Sequence, residues 1–553
     1  MYLIRKEISM KKHPHLLNIF IIILIAVVLM LPMFMNAYHA GHDSVYHITN
    51  IMAIEEQLQA GKVVPSPILD HIADGLGYGS QMFYPPFAHM LTAYLSAYLF
   101  QGDVLLSLKV VHFLFLALSG LTMYEASYRF TKNKKVAFFA SLIYMTFPYH
   151  LSDIYIRDAL AECAVFVFLP MILSGVYALL QQDKKHFYPL FILGYTGGIL
   201  SHLTLMIYFT LFLAVFLFVY RRQVFKKTFM IPFCVATFLV LMLTSFFWVR
   251  LLILRISGSY VVFSASEMAK RIAKSGLYPL DYFNIFQDMD VHDVEYYFYP
   301  VVILLLIFTF KQGIKDFPYQ KGLVVVGILA IILSLKIIPW KYAPDFLKTI
   351  QFPWRLLMFS GLVISMLAPF CLRKVRSVWL LGGLTFLLLL STIPAIHFSS
   401  DVVIDMDNIK WNKGMGWQRE YLPVQAKKYL AENTRDQEIY SSADIEVKII
   451  KNQVPDLTWQ IETKNKVTLE LPRIYYKGYV VEDSEGNQYP LRESKNGFLE
   501  VDISSSDTYS LTYPGTLGMR IARKVSLFTL LALLGSLLVL FIRNLKRKIM
   551  LHF

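Results

Sequence analysis

Three stretches of this chain place ionisable side chains where apolar segments begin or end, and each could do chemistry. The first is Gly41-His42-Asp43, just beyond the apolar run Leu16 to Met35. A carboxylate in hydrocarbon is costly. At the mouth of a membrane helix it stays wet and can take a proton from an attacking hydroxyl. The same position suits a helix cap, because Val45, Ile48, Met52, Ile54 and Leu58 follow at helical spacing with Glu55, Glu56 and Gln57 among them. Capping is the commoner use of such an aspartate, so spacing alone leaves both roles open.

The second stretch runs from Tyr149 to Glu162, with Asp153/Arg157 and Asp158/Glu162 each four residues apart. Four ionisable groups at the edge of an apolar bundle must be paired or face a wet cavity. A salt-bridged interfacial turn and a functional site satisfy that equally. The third is Gln351-Phe352-Pro353-Trp354-Arg355, at the start of an apolar run, with Lys341 and Lys348 upstream. Arginine binds phosphate bidentately and a helix N-terminus favours anions. An aromatic belt with a snorkelling arginine is the plainer account. His202 stands alone between two apolar runs, more in the manner of a packing residue than a catalyst.

A further charged segment carries Arg250, Arg255, Lys270, Arg271 and Lys274, then Asp288, Asp290, His292, Asp293 and Glu295. Its basic half suits phosphate or lipid headgroups. Its acidic half matches no defined metal-binding loop. No Walker A sequence, G-x-S-x-G elbow or H-E-x-x-H helix is present.

The elements that must position these residues are membrane helices. The 553 residues are 56% hydrophobic and 17% charged, against about 25% charged in soluble domains. Charges cluster between apolar runs near the roughly 20 residues that cross a bilayer. The net charge of +14 invites a nucleic-acid reading. However, the cations fall in short loops that would lie beside anionic lipid, and no nucleic-acid-binding motif accompanies them. Cys163, Cys234 and Cys371 all lie in apolar segments and read as packing residues. The run after Arg5 to Lys12 is too long for a signal peptide and lacks a cleavage site, so a retained first helix is expected.

Basic clusters set the threading. Lys6, Lys11 and Lys12 place the N-terminus inside. Twelve spans then follow at 16–36, 104–128, 136–150, 160–180, 188–202, 204–220, 228–249, 296–310, 322–338, 354–371, 377–396 and 525–542. The apolar stretch 87–100 is too short and stays at the outer surface. Outer loops cover 37–103 and 250–295, and both termini are cytoplasmic. Between 397 and 520, Val447/Ile449, Trp459/Ile461 and Val467/Leu469/Leu471 alternate with polar residues. Gly478, Ser484 to Asn487 and Lys495 to Gly497 supply turns. That segment reads as an extracytoplasmic β-sandwich or jelly roll. The expected organisation is a transmembrane catalytic domain over 1–396, the β-rich domain over 397–520, and a final span with a basic tail over 521–553.

The outer-loop residues Gly41-His42-Asp43 with His47, Gly75-x-Gly77-Tyr78-Gly79 and Phe83-Tyr84-Pro85-Pro86 resemble those of bacterial YfhO-like membrane proteins, also labelled 6-pyruvoyl-tetrahydropterin-synthase-related membrane proteins. So do Pro148 to Glu162, Gln351 to Arg355, and Glu420-Tyr421-Leu422-Pro423. One departure is Phe247-Trp248-Val249-Arg250, where a proline is expected after the tryptophan. Such proteins look like GT-C-fold glycosyltransferases. The resemblance implies a multi-pass protein of the bacterial cell membrane whose active site faces outward. It implies a polyprenyl-phosphate-linked sugar donor, a cell-envelope glycan or lipid acceptor, and a separate enzyme that makes the donor. Asp43 would be the base. His42, His47, Tyr84, Asp153, Arg157, Glu162, His202 and Arg355 would bind substrate. Transfer would invert the anomeric centre without a cofactor or metal, because arginines can neutralise the leaving phosphate. A transporter or lipid-linked-glycan flippase is the alternative from another class. A scaffold whose outer domain binds a partner leaves the charged loops unexplained.

Overall fold

A computed structural model describes residues 14–264, 299–398, 401–407 and 419–550, together with 272, 275, 277–283, 409 and 415. Lys6, Lys11, Lys12, Lys270, Arg271, Lys274 and the acidic group Asp288, Asp290, His292, Asp293 and Glu295 lie outside the described residues.

Long apolar stretches without internal polar demand close their backbone hydrogen bonds as helices, and this chain has the make-up of a multi-pass membrane protein. Among the described residues, six helices are long and apolar enough to cross a bilayer: His15–Met35, Val104–Thr131, Leu160–Leu180, Pro353–Lys374, Val378–Ala395 and Leu517–Arg543. Lys227–Leu243 and Ser245–Ser257 make a seventh if their 70° bend is one span.

Of the other expected spans, 188–202 is the helix Lys184–Ser201, which has 18 residues but is not apolar enough to count as a crossing, and the rest are shorter helices. The run 136–150 is divided, because Lys134–Met145 ends at Thr146 and a new helix, Pro148–Tyr155, begins. Proline has no N–H to continue the ladder, and Phe147 before it is extended, at φ −58° and ψ 129°. Leu203–Val219 and Gln320–Ser334 are apolar but short. The stretch expected at the outer surface is the helix Phe87–Tyr98, and an amphipathic run after Asp43 is the helix Ser44–Gln59.

The chain forms two compact units. The first comprises Met1–Pro65, Pro85–Pro232 and Ser264–Gly416. Its centre is made by the two most enclosed candidate spans. Leu160–Leu180 has 78% of its apolar window buried and Pro353–Lys374 has 100%. Small residues let neighbours approach: a Cβ on Gly194 would stand 2.6 Å from Ile172 Cγ1, so Lys184–Ser201 packs tightly along Leu160–Leu180.

The second unit comprises Ser66–Tyr84, Phe233–Phe263 and Trp417–Phe553. It holds two antiparallel sheets. One has four strands in the order β1 (Tyr440–Ser441), β4 (Val467–Ile474), β8 (Phe498–Ile503), β7 (Leu491–Glu493). The other has five, in the order β2 (Val447–Gln453), β3 (Asp456–Ile461), β9 (Asp507–Thr512), β5 (Val480–Glu482), β6 (Gln488–Tyr489). The two-residue period explains the burial: Trp459, Ile461, Val467, Leu469 and Leu471 are all enclosed. Gly478, Gly486 and Gly497 take positive φ at the turns. The glycine-rich stretch Gly75 to Gly79 is packed within this unit. Leu76 O accepts from Ile474 N at 3.0 Å and Leu69 bridges Tyr78, whose ring is fully buried.

A buried ion cluster as candidate functional site

The two central helices of the first unit each carry a charge in their opening turn. Glu162 lies in the first turn of Leu160–Leu180, and Arg355 lies in the 3-10 turn Pro353–Leu356 that leads into Leu357–Leu367. Arg157 and Asp158 come from the tight turn between Pro148–Tyr155 and Leu160–Leu180. Asp158 sits in the left-handed region at φ 53°, which aspartate tolerates better than most side chains.

These residues form one network. Arg157 Nη1 donates to Asp153 Oδ1 at 2.5 Å, and Nη2 donates to Glu162 Oε1 at 2.7 Å. Its guanidinium also stands 4.6 Å from the Trp354 ring centre. Arg355 Nε donates to the same Glu162 Oε1 at 2.9 Å. Arg355 Nη1 is taken by Ile350 O and Gln351 Oε1, at 3.2 and 3.0 Å, while Nη2 has no hydrogen bond to a described residue. The other Glu162 oxygen accepts from Tyr149 OH at 2.9 Å. His202 Nε2 stands 4.0 Å from Glu162 Oε1, and its Nδ1 caps the helix Leu203–Val219 by accepting from Leu205 N. Glu162 thus ties two arginines from distant sequence positions into one buried group. Burial pushes the Asp153 carboxyl well above the usual carboxylate range, against the pull of Arg157, and its Oδ2 is enclosed without a partner.

Asp43 stands at the rim of this cluster. It occupies the position before Ser44–Gln59, yet its side chain makes no capping hydrogen bond. Its Oδ2 is 3.8 Å from Arg157 Nη2, and the side chain is 44% exposed. The backbone is held in place by His42 N to Ile156 O at 3.2 Å and Asp43 N to Arg157 O at 2.9 Å. Only glycine allows that approach at position 41: a Cβ there would stand 2.7 Å from Asp158 Cβ and 3.0 Å from the Arg157 carbonyl carbon.

Asp158 secures the loop from below. It accepts from Ser44 Oγ at 2.5 Å, from Tyr38 OH at 3.0 Å and from His112 Nε2 at 2.7 Å. Ser44 Oγ in turn accepts from Gly41 N at 2.6 Å. Behind them His47 Nδ1 and His89 Nε2 share a hydrogen bond of 2.7 Å. Burial lowers the pKa of both imidazoles, so each prefers the neutral form.

The structure therefore brings Asp43, Asp153, Arg157, Glu162, His202 and Arg355 into one connected group. Asp158 and Glu162, four residues apart, take different partners. The backbone of His42 belongs to the loop, whereas His47 is turned into the His89 pair. Tyr84 belongs to the second unit, where its N–H bonds Ser80 O at 2.9 Å. Sequence reasoning left Tyr38, Ser44, His112 and Tyr149 out of the site. His112 carried a usable signal, since a histidine inside a long apolar helix demands a partner. No protein-family model matches the sequence, and no curated protein matches it.

Proposed function

We propose that this chain is a GT-C-type membrane glycosyltransferase of the YfhO-like kind. It has about twelve transmembrane helices and cytoplasmic termini, and its β-sandwich domain lies outside the cell. It moves a sugar from a polyprenyl phosphate to a cell-envelope glycan or lipid acceptor on the outer face. One observation carries this reading: a half-exposed carboxylate, free of capping duty, stands 3.8 Å from an arginine that shares one glutamate with a second arginine.

Asp43 takes the proton of the acceptor hydroxyl as its oxygen bonds to the anomeric carbon. The bond from that carbon to the phosphate oxygen breaks with its electron pair, and polyprenyl phosphate leaves as a monoester. Attack opposite the leaving group inverts the centre. Arg355, with Nη2 unused, meets the developing phosphate charge, where a dry and preorganised donor counts most. Arg157 has its donors committed to Asp153 and Glu162 and acts as a positioning residue for Asp43 and Glu162. Glu162 keeps the two cations at a fixed separation.

The test is Asp43→Asn in membranes supplied with labelled polyprenyl-phosphate sugar. Transfer should fall by about 10²–10⁴-fold, the usual worth of a general base. Thermal stability should hold, because no cap is lost. Normal transfer by the variant would remove the base assignment. The second reading, a flippase or transporter, draws on the burial of Arg157, Glu162 and Arg355 inside the bundle. Substrate uptake into proteoliposomes without sugar transfer would favour it.

A further inference from the structure

Among the described residues, the second unit holds a cation without a counter-ion. Arg250, in the helix Ser245–Ser257, donates Nη2–H to Gln81 O at 2.7 Å, and its Nε is buried without a partner. Among the described residues, no carboxylate acts on it and Tyr513 is the titratable group that does. A guanidinium withdrawn from water is costly unless an anion joins it.

The helix that carries Arg250 packs along Leu517–Met550. Ser245 Oγ lies 2.9 Å from Ser526 Oγ, and a Cβ on Gly518 would stand 3.1 Å from Ile253 Cδ1. Arg250 falls between those two contacts in sequence. Tyr513 links it to the adjoining surface, because its hydroxyl donates to Lys477 O at 3.2 Å. That surface is a cleft of about 330 Å³, with Lys477 and Arg520 on its walls. Gln488, Tyr489 and Thr516 add polar groups, Leu517 adds an apolar edge, and no carboxylate lines it. Lys477 and Arg520 are both exposed. Carboxylates stand behind the far wall, where Glu482 accepts from Gln488 Nε2 at 2.9 Å and Asp483 from Tyr489 OH at 3.1 Å. The positive side of the cleft is therefore the one formed by Lys477 and Arg520, with the buried Arg250 linked to it through Tyr513.

Its position identifies the occupant. Leu517 opens a candidate membrane span, Leu517–Arg543, and Arg520 sits in the first turn of that helix. Headgroups occupy that depth, and basic side chains near a bilayer surface attract anionic lipid. We propose that this cleft binds the headgroup of an anionic phospholipid, its phosphodiester held between Lys477 and Arg520 with Arg250 supplying the positive field behind them. The inference rests on the membrane character of the chain and is independent of sugar transfer.

The experiment uses the full-length protein in nanodiscs of mixed phosphatidylcholine and phosphatidylglycerol, with retained lipid measured by native mass spectrometry. Wild type should enrich phosphatidylglycerol. Lys477→Gln with Arg520→Gln, both at exposed positions, should lower that enrichment on the order of tenfold. Arg250→Met should also lower it while the protein stays folded, since an apolar side chain needs no counter-ion. No preference in the wild type, or equal retention by the double variant, overturns the proposal. A third arm adds soluble poly(glycerol phosphate) to protein in phosphatidylcholine alone. Binding there through Lys477 and Arg520, without phosphatidylglycerol enrichment, assigns the cleft to a glycan and overturns the lipid. Asp43→Asn, run in parallel, should keep its lipid whatever happens to transfer, so the two readings fail separately.

Discussion

Arg157 and Arg492 each meet two carboxylates at 2.9 Å or less, and their surroundings should make those contacts worth very different amounts. Arg157 meets Asp153 and Glu162 at 2.5 and 2.7 Å, with side-chain exposures of 4%, 0% and 3%. Arg492, on strand β7, meets Glu500 and Asp502 at 2.5 and 2.9 Å, with exposures of 49%, 24% and 27%. The distances are nearly the same. The surroundings are not: a pair at 4 Å is worth about 1 kcal/mol in water and about 4 kcal/mol at the effective dielectric near a protein surface. Distance alone therefore does not rank the two clusters. What distinguishes the buried one is that its members cannot turn to water when a partner is lost. Glu162 serves Arg157, Arg355 and Tyr149 at once, so losing it strands three groups.

The sharpest way to break this comparison is Glu162→Gln. It leaves two buried guanidinium groups short of their shared counter-charge. Breaking a buried pair in this way costs about 3–5 kcal/mol, readable as a lower unfolding temperature in detergent. If Glu162→Gln costs no more than the matching change at Arg492, burial is not what separates the clusters. Gly41→Ala comes next. The added Cβ meets Asp158 Cβ and the Arg157 backbone, neither of which is the free end of a flexible side chain. Overpacking of that kind costs about 1–3 kcal/mol. Because it moves the loop that carries Asp43, the proposed sugar transfer should fall by more than the loss of folded protein explains.

Which parts of this were legible beforehand follows the range of the interactions. The six apolar runs that fold as span-length helices and the period-two strands were plain, since each depends on neighbours within a few residues. The Asp153–Arg157 pair was plain for the same reason. The division at Pro148 is readable from the proline, which ends the ladder even though hydropathy runs on across it. Spacing could not show that Glu162 joins Arg157 to Arg355, because that contact spans 193 residues and depends on how two helices meet. Nor could it decide between cap and base for Asp43. Gly41 governs where that carboxylate stands: its missing Cβ lets the loop lie on Ile156 to Asp158, and Asp43 then makes no cap hydrogen bond and comes within 3.8 Å of Arg157.

Acid should separate the two regions by the pH at which each loses stability. His47 and His89 are neutral and buried, with pKa values lowered by desolvation. The unfolded chain takes up their protons near pH 6.5 and the folded one does not. Stability from this pair is therefore full above that pH and falls as pH drops below it. The Arg492 cluster behaves otherwise. Hydrogen bonds from Arg492 hold Asp502 below the usual carboxylate range, so its contribution is present above about pH 3.9 and is lost only as pH falls further. Unfolding temperatures taken from pH 7.5 to 5 should decline for the wild type and decline less for His89→Phe. Parallel slopes for the two proteins would mean that the histidine pair titrates as freely as one in water.

The smallest effect belongs to Arg492→Gln, and its smallness is the point. The side chain is half in water, so its carboxylates regain hydration when the guanidinium goes. Exposed pairs typically contribute about 0.2–1 kcal/mol. Moderate salt should erase most of that, because charges at a surface are screened within about 10 Å at 0.1 M. Unfolding of the wild type and Arg492→Gln should therefore converge as salt rises, while Glu162→Gln keeps its deficit. A salt-independent loss above about 1 kcal/mol at Arg492 would show that its carboxylates are less hydrated than their exposure implies.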